Sequence, residues 1–265
     1  MIIDSHAHVM APPEKQLCLM EQAGVSKTVL FATTPHPEKA VNLATFENEI
    51  RVLAEILSGR CGLAERIGSM RRITLELCDA LRQYPDKFLG FGPVPLGLSD
   101  QETGAWIADQ ILANRLSGVG EFTFASGAAH LLANVFKALM ECGKMPVWIH
   151  TFHPLALQDI GELAVLAGRF PDIPVILGHM GGVNWLETIK LAKEHPNLYL
   201  DLSASFTAIA PWLAIKELPE RVLFSSDAPY GNPLLVRQMV EMVSEDARVT
   251  EMVLGGNICR LLEIS

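Results

Sequence analysis

The sequence predicts an α/β chain folded as a (β/α)8 TIM barrel with an enlarged helical insertion after the second strand. Three observations predict it. Eight short apolar and β-branched runs alternate with longer amphipathic stretches along almost all of the 265 residues, the order expected of β/α units around a parallel sheet. The length suits one barrel of about 250 residues, and 49% hydrophobic residues can bury roughly three quarters of the unfolded surface. No repeat, low-complexity tract or Pro/Gly/Ser linker divides the chain, so residues 1–265 are read as a single domain.

The strands are predicted at 2–4, 27–32, 88–94, 118–124, 146–150, 174–178, 198–202 and 222–225. Helices are predicted at 14–23, 101–115, 130–142, 155–170, 184–194, 207–217 and 233–244, each long enough to cross back over a barrel. Arg169-Phe170-Pro171-Asp172 and Glu194-His195-Pro196-Asn197 are stop signals, because proline disfavours helical geometry in the residue before it. Pro211 is expected to break the 207–217 helix. Residues 35–86 are too many for one helix and its turns. They carry two amphipathic segments, 40–57 and 64–84, separated by Ser58-Gly59-Arg60-Cys61-Gly62, and are read as a lid that shapes a pocket.

Composition excludes several classes of function. A net charge of −9, from 21 basic and 30 acidic residues, leaves no long basic stripe and disfavours nucleic acid and anionic membranes, so small molecules are the expected partners. The longest stretch without Asp, Glu, Lys or Arg, residues 122–136, is shorter than the roughly 20 residues of a membrane span. The opening MIIDSHAHVM lacks the basic and apolar regions of a signal peptide. Five scattered cysteines, Cys18, Cys61, Cys78, Cys142 and Cys259, form no C-x-x-C pair. They are read as reduced core thiols of a cytoplasmic protein.

Chemistry gathers at the strand ends. In Asp4-Ser5-His6-Ala7-His8, strand geometry turns His6 and His8 to one face, and neutral imidazoles suit zinc and similar cations. By itself the pair is equally well two polar residues leaving a strand. His150 closes the fifth run, His179 the sixth, Asp227 the eighth and Glu121 the fourth. The carboxyl ends of barrel strands are where active sites form. His36, between Pro35 and Pro37 at the second strand's exit, His153 before Pro154, and Tyr230 close to Asp227 are candidate substrate neighbours. His130 and His195 at helix ends are read as structural, and Trp148, Trp185 and Trp212 as packing.

This ordered set of four histidines and an aspartate resembles the amidohydrolase superfamily, in its branch of small decarboxylases and lactone or amide hydrolases (amidohydrolase family 2 type). Further likeness lies in Tyr84-Pro85-Asp86-Lys87-Phe88-Leu89-Gly90-Phe91-Gly92, in Leu177-Gly178-His179-Met180-Gly181-Gly182 and in Gly255-Gly256-Asn257. The resemblance implies that His6, His8, His150 and Asp227 hold one divalent cation, zinc or another, and that the cation activates a water. It further implies that Asp227 moves the proton and that His179 polarises the substrate carbonyl. In two-metal relatives a strand-four residue bridges the cations. Glu121 stands in that run, which has no lysine, and if it bridges, His150 and His179 would bind the second ion. One cation is favoured over two.

The implied function is metal-dependent hydrolysis of a small ester, lactone or amide, with decarboxylation of an aromatic or unsaturated carboxylic acid as the alternative. Metal or ligand binding without turnover is a third possibility. Hydrolysis is put first because no arginine or lysine stands at a strand exit to anchor a carboxylate. The nearest are Arg51, Arg60, Arg66, Arg71 and Arg72 of the lid. The sequence leaves the oligomeric state open, with a homodimer, the commonest closed assembly, as one possibility.

Overall fold

The computed structural model describes residues 1–58 and 62–264. The Gly59-Arg60-Cys61 part of the lid separator lies outside the described residues. In chain order the first elements are β1 (Ile3–His8), α1 (Glu14–Ala23), β2 (Lys27–Phe31), α2 (Leu43–Leu57), α3 (Leu63–Gln83), β3 (Phe88–Gly92) and α4 (Asp100–Trp106). Then follow β4 (Gly118–Phe122), α5 (Ala133–Cys142), β5 (Val147–His150), α6 (Leu157–Arg169), β6 (Val175–Gly178), α7 (Trp185–Glu194), β7 (Leu198–Asp201), α8 (Ile209–Glu217) and β8 (Val222–Leu223). The chain ends with α9 (Pro233–Val243), α10 (Ala247–Glu251) and α11 (Asn257–Leu261).

The eight strands pair in parallel in chain order. The barrel closes where Ser5 N–H donates to the Phe224 carbonyl (2.9 Å), Asp227 N–H to that of His6 (2.7 Å) and His8 N–H to that of Ala228 (2.7 Å). The expected (β/α)8 architecture is therefore present, with α2 and α3 forming the insertion after β2.

Side-chain alternation divides the core into two layers. Leu30, Val147, Ile149, Val175, Leu177, Leu198, Leu200 and Val222 face the helices. Ile3, Val29, Phe31, Phe91, Trp148, Ile176 and Leu223 fill the barrel. By the same parity His150 follows Trp148 inward. Two strands break parity. β1 has a register irregularity between Asp4 and Ala7, so Ile3 points inward and yet His6 and His8, of opposite parity, face the barrel axis. β4 has another between Val119 and Phe122, both of which face outward, and this leaves Glu121 aimed inward. An extra residue in one strand re-aims every side chain beyond it.

Three expectations are corrected. Pro211 does not break α8: it is the third helical residue, where its missing N–H lies among those with no intrahelical acceptor. Residues 107–112 leave α-geometry for a wider π turn. The C-terminal segment, α10 to α11, was not predicted. It closes the amino end of the barrel, where Asn257 donates to the carbonyls of Pro219 and Val222 (both 2.8 Å). A side chain at Gly255 would meet the Met1 carbonyl oxygen at 2.2 Å, which explains the first glycine of the Gly-Gly-Asn run. The described cysteines are free, and Cys78 is buried, but Cys18 is exposed rather than in the core. No helix among the described residues is long and apolar enough to cross a membrane.

Candidate active site

At the carboxyl end of the barrel, His6, His8, Glu121, His150, His179, Asp201 and Asp227 converge. Their potential ligand atoms fall into groups that could hold a metal ion: His6, His8 and Asp227; Glu121, His150 and His179; and His6, His179 and Asp201. Glu121 spans the first two. Its Oε2 lies 3.7 Å from His6 Nε2 and 3.8 Å from His8 Nε2, while its Oε1 lies 3.3 Å from His150 Nδ1 and 3.2 Å from His179 Nε2. Asp227 Oδ1 stands 3.0 Å from His8 Nε2 and 3.8 Å from His6 Nε2.

Outer partners fix the imidazoles. His6 Nδ1–H donates to Asp201 Oδ2 (2.8 Å), which leaves Nε2 as a lone pair between Glu121 and Asp227. That nitrogen is buried and has no hydrogen-bond partner. His150 Nε2–H donates to the His153 carbonyl (3.0 Å), so its Nδ1 lone pair faces the Glu121 carboxylate. His179 Nδ1 bonds Ser203 Oγ (2.8 Å). Asp201 also receives Trp148 Nε1–H (3.2 Å) and Ser203 N–H (2.6 Å). Acceptors facing acceptors in a buried space call for a cation, and carboxylates or carbonyls behind ligating histidines are the usual outer support. The residues therefore fit divalent metal.

Without metal, protons take that role. Burial would push His6 down, but Glu121, Asp201 and Asp227 carry it up to about 10. His179 is raised in the same way, burial being outweighed by Glu121, Asp227 and Asp201. Burial pushes Glu121 up, yet the His6 charge and the bonds to His150 and His179 hold it well below its ordinary value. Asp227 is likewise lowered, its burial being offset by His8, His179 and His6.

Local backbone aims these groups. His179 and Asp227 adopt left-handed φ of 61° and 57°, uncommon for residues with side chains and typical of functional sites. After His179 the turn stays left-handed through Gly181 and Gly182, where an added Cβ would meet Thr188 Oγ1 at 2.0 Å and the Phe152 ring at 2.3 Å. Only glycine fits there. At the other end, Asp4 accepts Ser226 N–H (2.8 Å) and Oγ–H (2.6 Å), bracing the turn that carries Asp227. Its burial outweighs those bonds and raises its carboxyl to about 7.

An amidohydrolase family model matches residues 3–264. The chain belongs to the amidohydrolase family. This amidohydrolase is therefore an enzyme, and its fold is shared with solved decarboxylases. The 2,6-dihydroxybenzoate decarboxylase from Rhizobium is 17% identical, with a TM-score of 0.70 over 99% of this chain and 98% of the other. The 5-carboxyvanillate decarboxylase from Sphingomonas paucimobilis is also 17% identical at 0.70, over 100% and 99%. A dihydroxybenzoic acid decarboxylase from Polaromonas, solved with manganese and 2-nitroresorcinol, matches at 17% and 0.70 over 99% and 97%. No curated protein sequence matches the chain significantly.

The amidohydrolase's other predicted site residues lie around the centre. The Tyr230 ring stands edge-on to His8, with centroids 5.9 Å apart, and burial with the charges of Asp227 and Glu121 raises its hydroxyl pKa. His153 lends its carbonyl to His150, while its own residue is exposed. His36 sits in the lid, its Nδ1 bonded to Glu38 (3.0 Å). Asp201, Ser203 and Asp4 were missed by sequence reasoning. For Asp201 a signal existed, an acidic residue closing an apolar run, the same feature that singles out Asp227. Trp148 packs as expected and also positions Asp201.

Proposed function

We propose that this amidohydrolase is a metal-dependent decarboxylase of a small aromatic or unsaturated carboxylic acid. The single observation that carries the metal dependence is Glu121, one carboxylate oxygen facing His6 and His8 and the other facing His150 and His179. This arrangement supports two cations: His6, His8 and Asp227 would hold one and His150 and His179 the other, with Glu121 available to both groups. It departs from the single ion on His6, His8, His150 and Asp227 that the sequence favoured, because His150 directs Nδ1 to His179 (3.0 Å) and Glu121. Zinc suits the imidazole-rich set and manganese the carboxylates.

Bound divalent cations would supply positive charge to hold a substrate carboxylate and to stabilise charge that develops in the reaction. That answers the objection drawn from the missing arginine, since the centre brings its own cationic partner. Asp227, with its side chain 12% exposed, stands beside the reacting group, where its carboxylate can take up a proton and pass it to the carbon that loses carbon dioxide. Phe31 and Trp148 pack against His6, with ring centroids 4.6 and 5.3 Å away, and exclude water from below. The decarboxylases that share the fold support this choice of reaction.

Hydrolysis of an ester, lactone or amide is the second reading, favoured by the same spanning carboxylate, because a two-cation clamp also suits activation of water. In that case Asp227 takes a proton from the water and returns it to the leaving group. Metal-loaded protein assayed on hydroxybenzoates, other unsaturated acids, lactones and amides separates the two. Carbon dioxide release that Asp227→Asn abolishes with metal retained is the expected result. Lactone or amide turnover without carbon dioxide would replace decarboxylation by hydrolysis.

A further inference from the structure

Next to the metal centre lies a cavity of about 500 Å3 whose walls include Met10, Lys15, Glu38, Phe46 and Tyr230. Tyr230 joins it to the centre through its edge-on contact with His8. The walls are largely apolar, and the charged groups among them are Lys15 and Glu38. The Lys15 ammonium is committed to the Glu38 backbone carbonyl (2.8 Å).

Glu38 is the unusual group. It lies on the short helix Pro37–Lys39, just past β2, and its side chain is only 7% exposed. Oε1 accepts Ala11 N–H and the His36 ring N–H, both at 3.0 Å. Oε2 is buried and has no hydrogen-bond partner. Further carboxylates surround the same histidine: Glu49 accepts His36 N–H (2.7 Å) and Glu76 lies 3.7 Å from His36 Nε2. Burial pushes the Glu38 carboxyl up, but the His36 ring and the Ala11 amide more than offset it, so the group is anionic at neutral pH. A buried carboxylate oxygen without a donor is costly to keep, and a ligand N–H satisfies it.

We propose that Glu38 determines specificity: its free oxygen receives an amino or ammonium group at the substrate end remote from the metal centre, so the substrates are small aminated molecules. The proposal rests on the reading of the barrel mouth as the substrate site.

The test uses benzylamine, benzyl alcohol and benzoate, matched in shape and differing in charge, titrated calorimetrically into metal-loaded protein. Benzylamine is expected to bind roughly tenfold or more tighter than benzyl alcohol, the scale of a charge-assisted hydrogen bond. Glu38→Gln keeps a carbonyl for Ala11 and His36 and removes the charge, so the preference should fall to about twofold or less with metal content and Tm unchanged. No binding of benzylamine at millimolar concentration, no preference for benzylamine over benzyl alcohol, or an undiminished preference in Glu38→Gln overturns the proposal, while benzoate reports binding of a carboxylate at the metal centre. An undiminished preference in Glu38→Gln would place the amine on the metal instead. Carbon dioxide release on the same samples keeps the two readings apart. Amine preference without decarboxylation sinks only the reaction, and decarboxylation without amine preference sinks only the role of Glu38.

Discussion

Replacing Asp201 by asparagine tests whether the centre depends on support from behind His6. Asp201 takes three donors on two oxygens: His6 Nδ1–H (2.8 Å) and Trp148 Nε1–H (3.2 Å) on Oδ2, and Ser203 N–H (2.6 Å) on Oδ1. An amide offers one acceptor oxygen. Whichever way it turns, its NH2 group confronts another N–H in a site with no exposure. Leaving a buried N–H unpaired costs about 1–3 kcal/mol. The His6 ring also loses the carboxylate that fixes its tautomer, and loss of such outer partners lowers metal affinity about 10- to 100-fold. Asp201→Asn should therefore destabilise the metal-free protein by about 1–3 kcal/mol in denaturant unfolding. In competition with a chromogenic chelator it should weaken metal binding by at least about tenfold. Metal affinity within about twofold of the parent, with unchanged unfolding of the metal-free form, would refute the assignment of Asp201 as the support of a ligand.

Glu121→Gln should lower the metal content, read by elemental mass spectrometry, from the two ions per chain proposed above, because the amide cannot serve both groups as an anion; unaltered content would remove Glu121 from the centre. Asp159 receives Ser126 Oγ–H (2.6 Å), Gly127 N–H (2.6 Å) and Ala156 N–H (2.7 Å) at the start of α6, so Asp159→Ala should cost about 1–3 kcal/mol in unfolding experiments. Burial raises the Asp159 carboxyl, yet those three donors hold it below its ordinary 3.8. Its contribution is thus present above that value and lost as pH falls through the lowered one, which acid unfolding of the parent against Asp159→Asn will show. Gly182→Ala forces a side chain into the Phe152 ring at a φ of 55° and should lower Tm and displace His179, measured by calorimetry and metal content. In the metal-free protein the raised His6 contributes stability that is full below 6.5 and lost as pH rises through about 10. Metal affinity, which competes with those protons, should rise over the same window, and a pH-independent affinity would contradict the site.

The eight strands were legible because each is a short apolar run bounded by turn signals, and that signal survives in a single sequence. His150, His179 and Asp227 were legible as candidate site residues because a polar group closing such a run has few other uses. The irregularities in β1 and β4 were not legible. They arise from how two strands pair, and nothing local to Asp4–Ala7 or Val119–Phe122 announces an extra residue. The pairing of His150 with Glu121 and His179 depends on the order of strands around the closed barrel, where β4, β5 and β6 are neighbours. Asp201 carried a readable signal, but its partner His6 lies at the other end of the chain. The C-terminal closure also escaped notice, because Asn257 acts on β8 carbonyls far from it in sequence.

The two irregular strands explain how a packed barrel can carry a charged centre at all. Regular alternation in β1 would turn His6 and His8 outward, on the side where Ala7 packs among apolar residues and helices, and four polar nitrogens would be buried without partners. The irregularity turns them inward above Phe31 and Trp148 instead. In β4 a second irregularity sets Glu121 opposite them, so two anion-ready groups, Glu121 and Asp227, face lone pairs from four imidazoles. Protons on His6 and His179 balance this arrangement only in part, and divalent cations balance it more fully while leaving every outer hydrogen bond in place. The register breaks and the ligand set thus form one device: the same extra residues that interrupt the ladder give the metal-ready geometry, and a regular barrel of this composition would have neither.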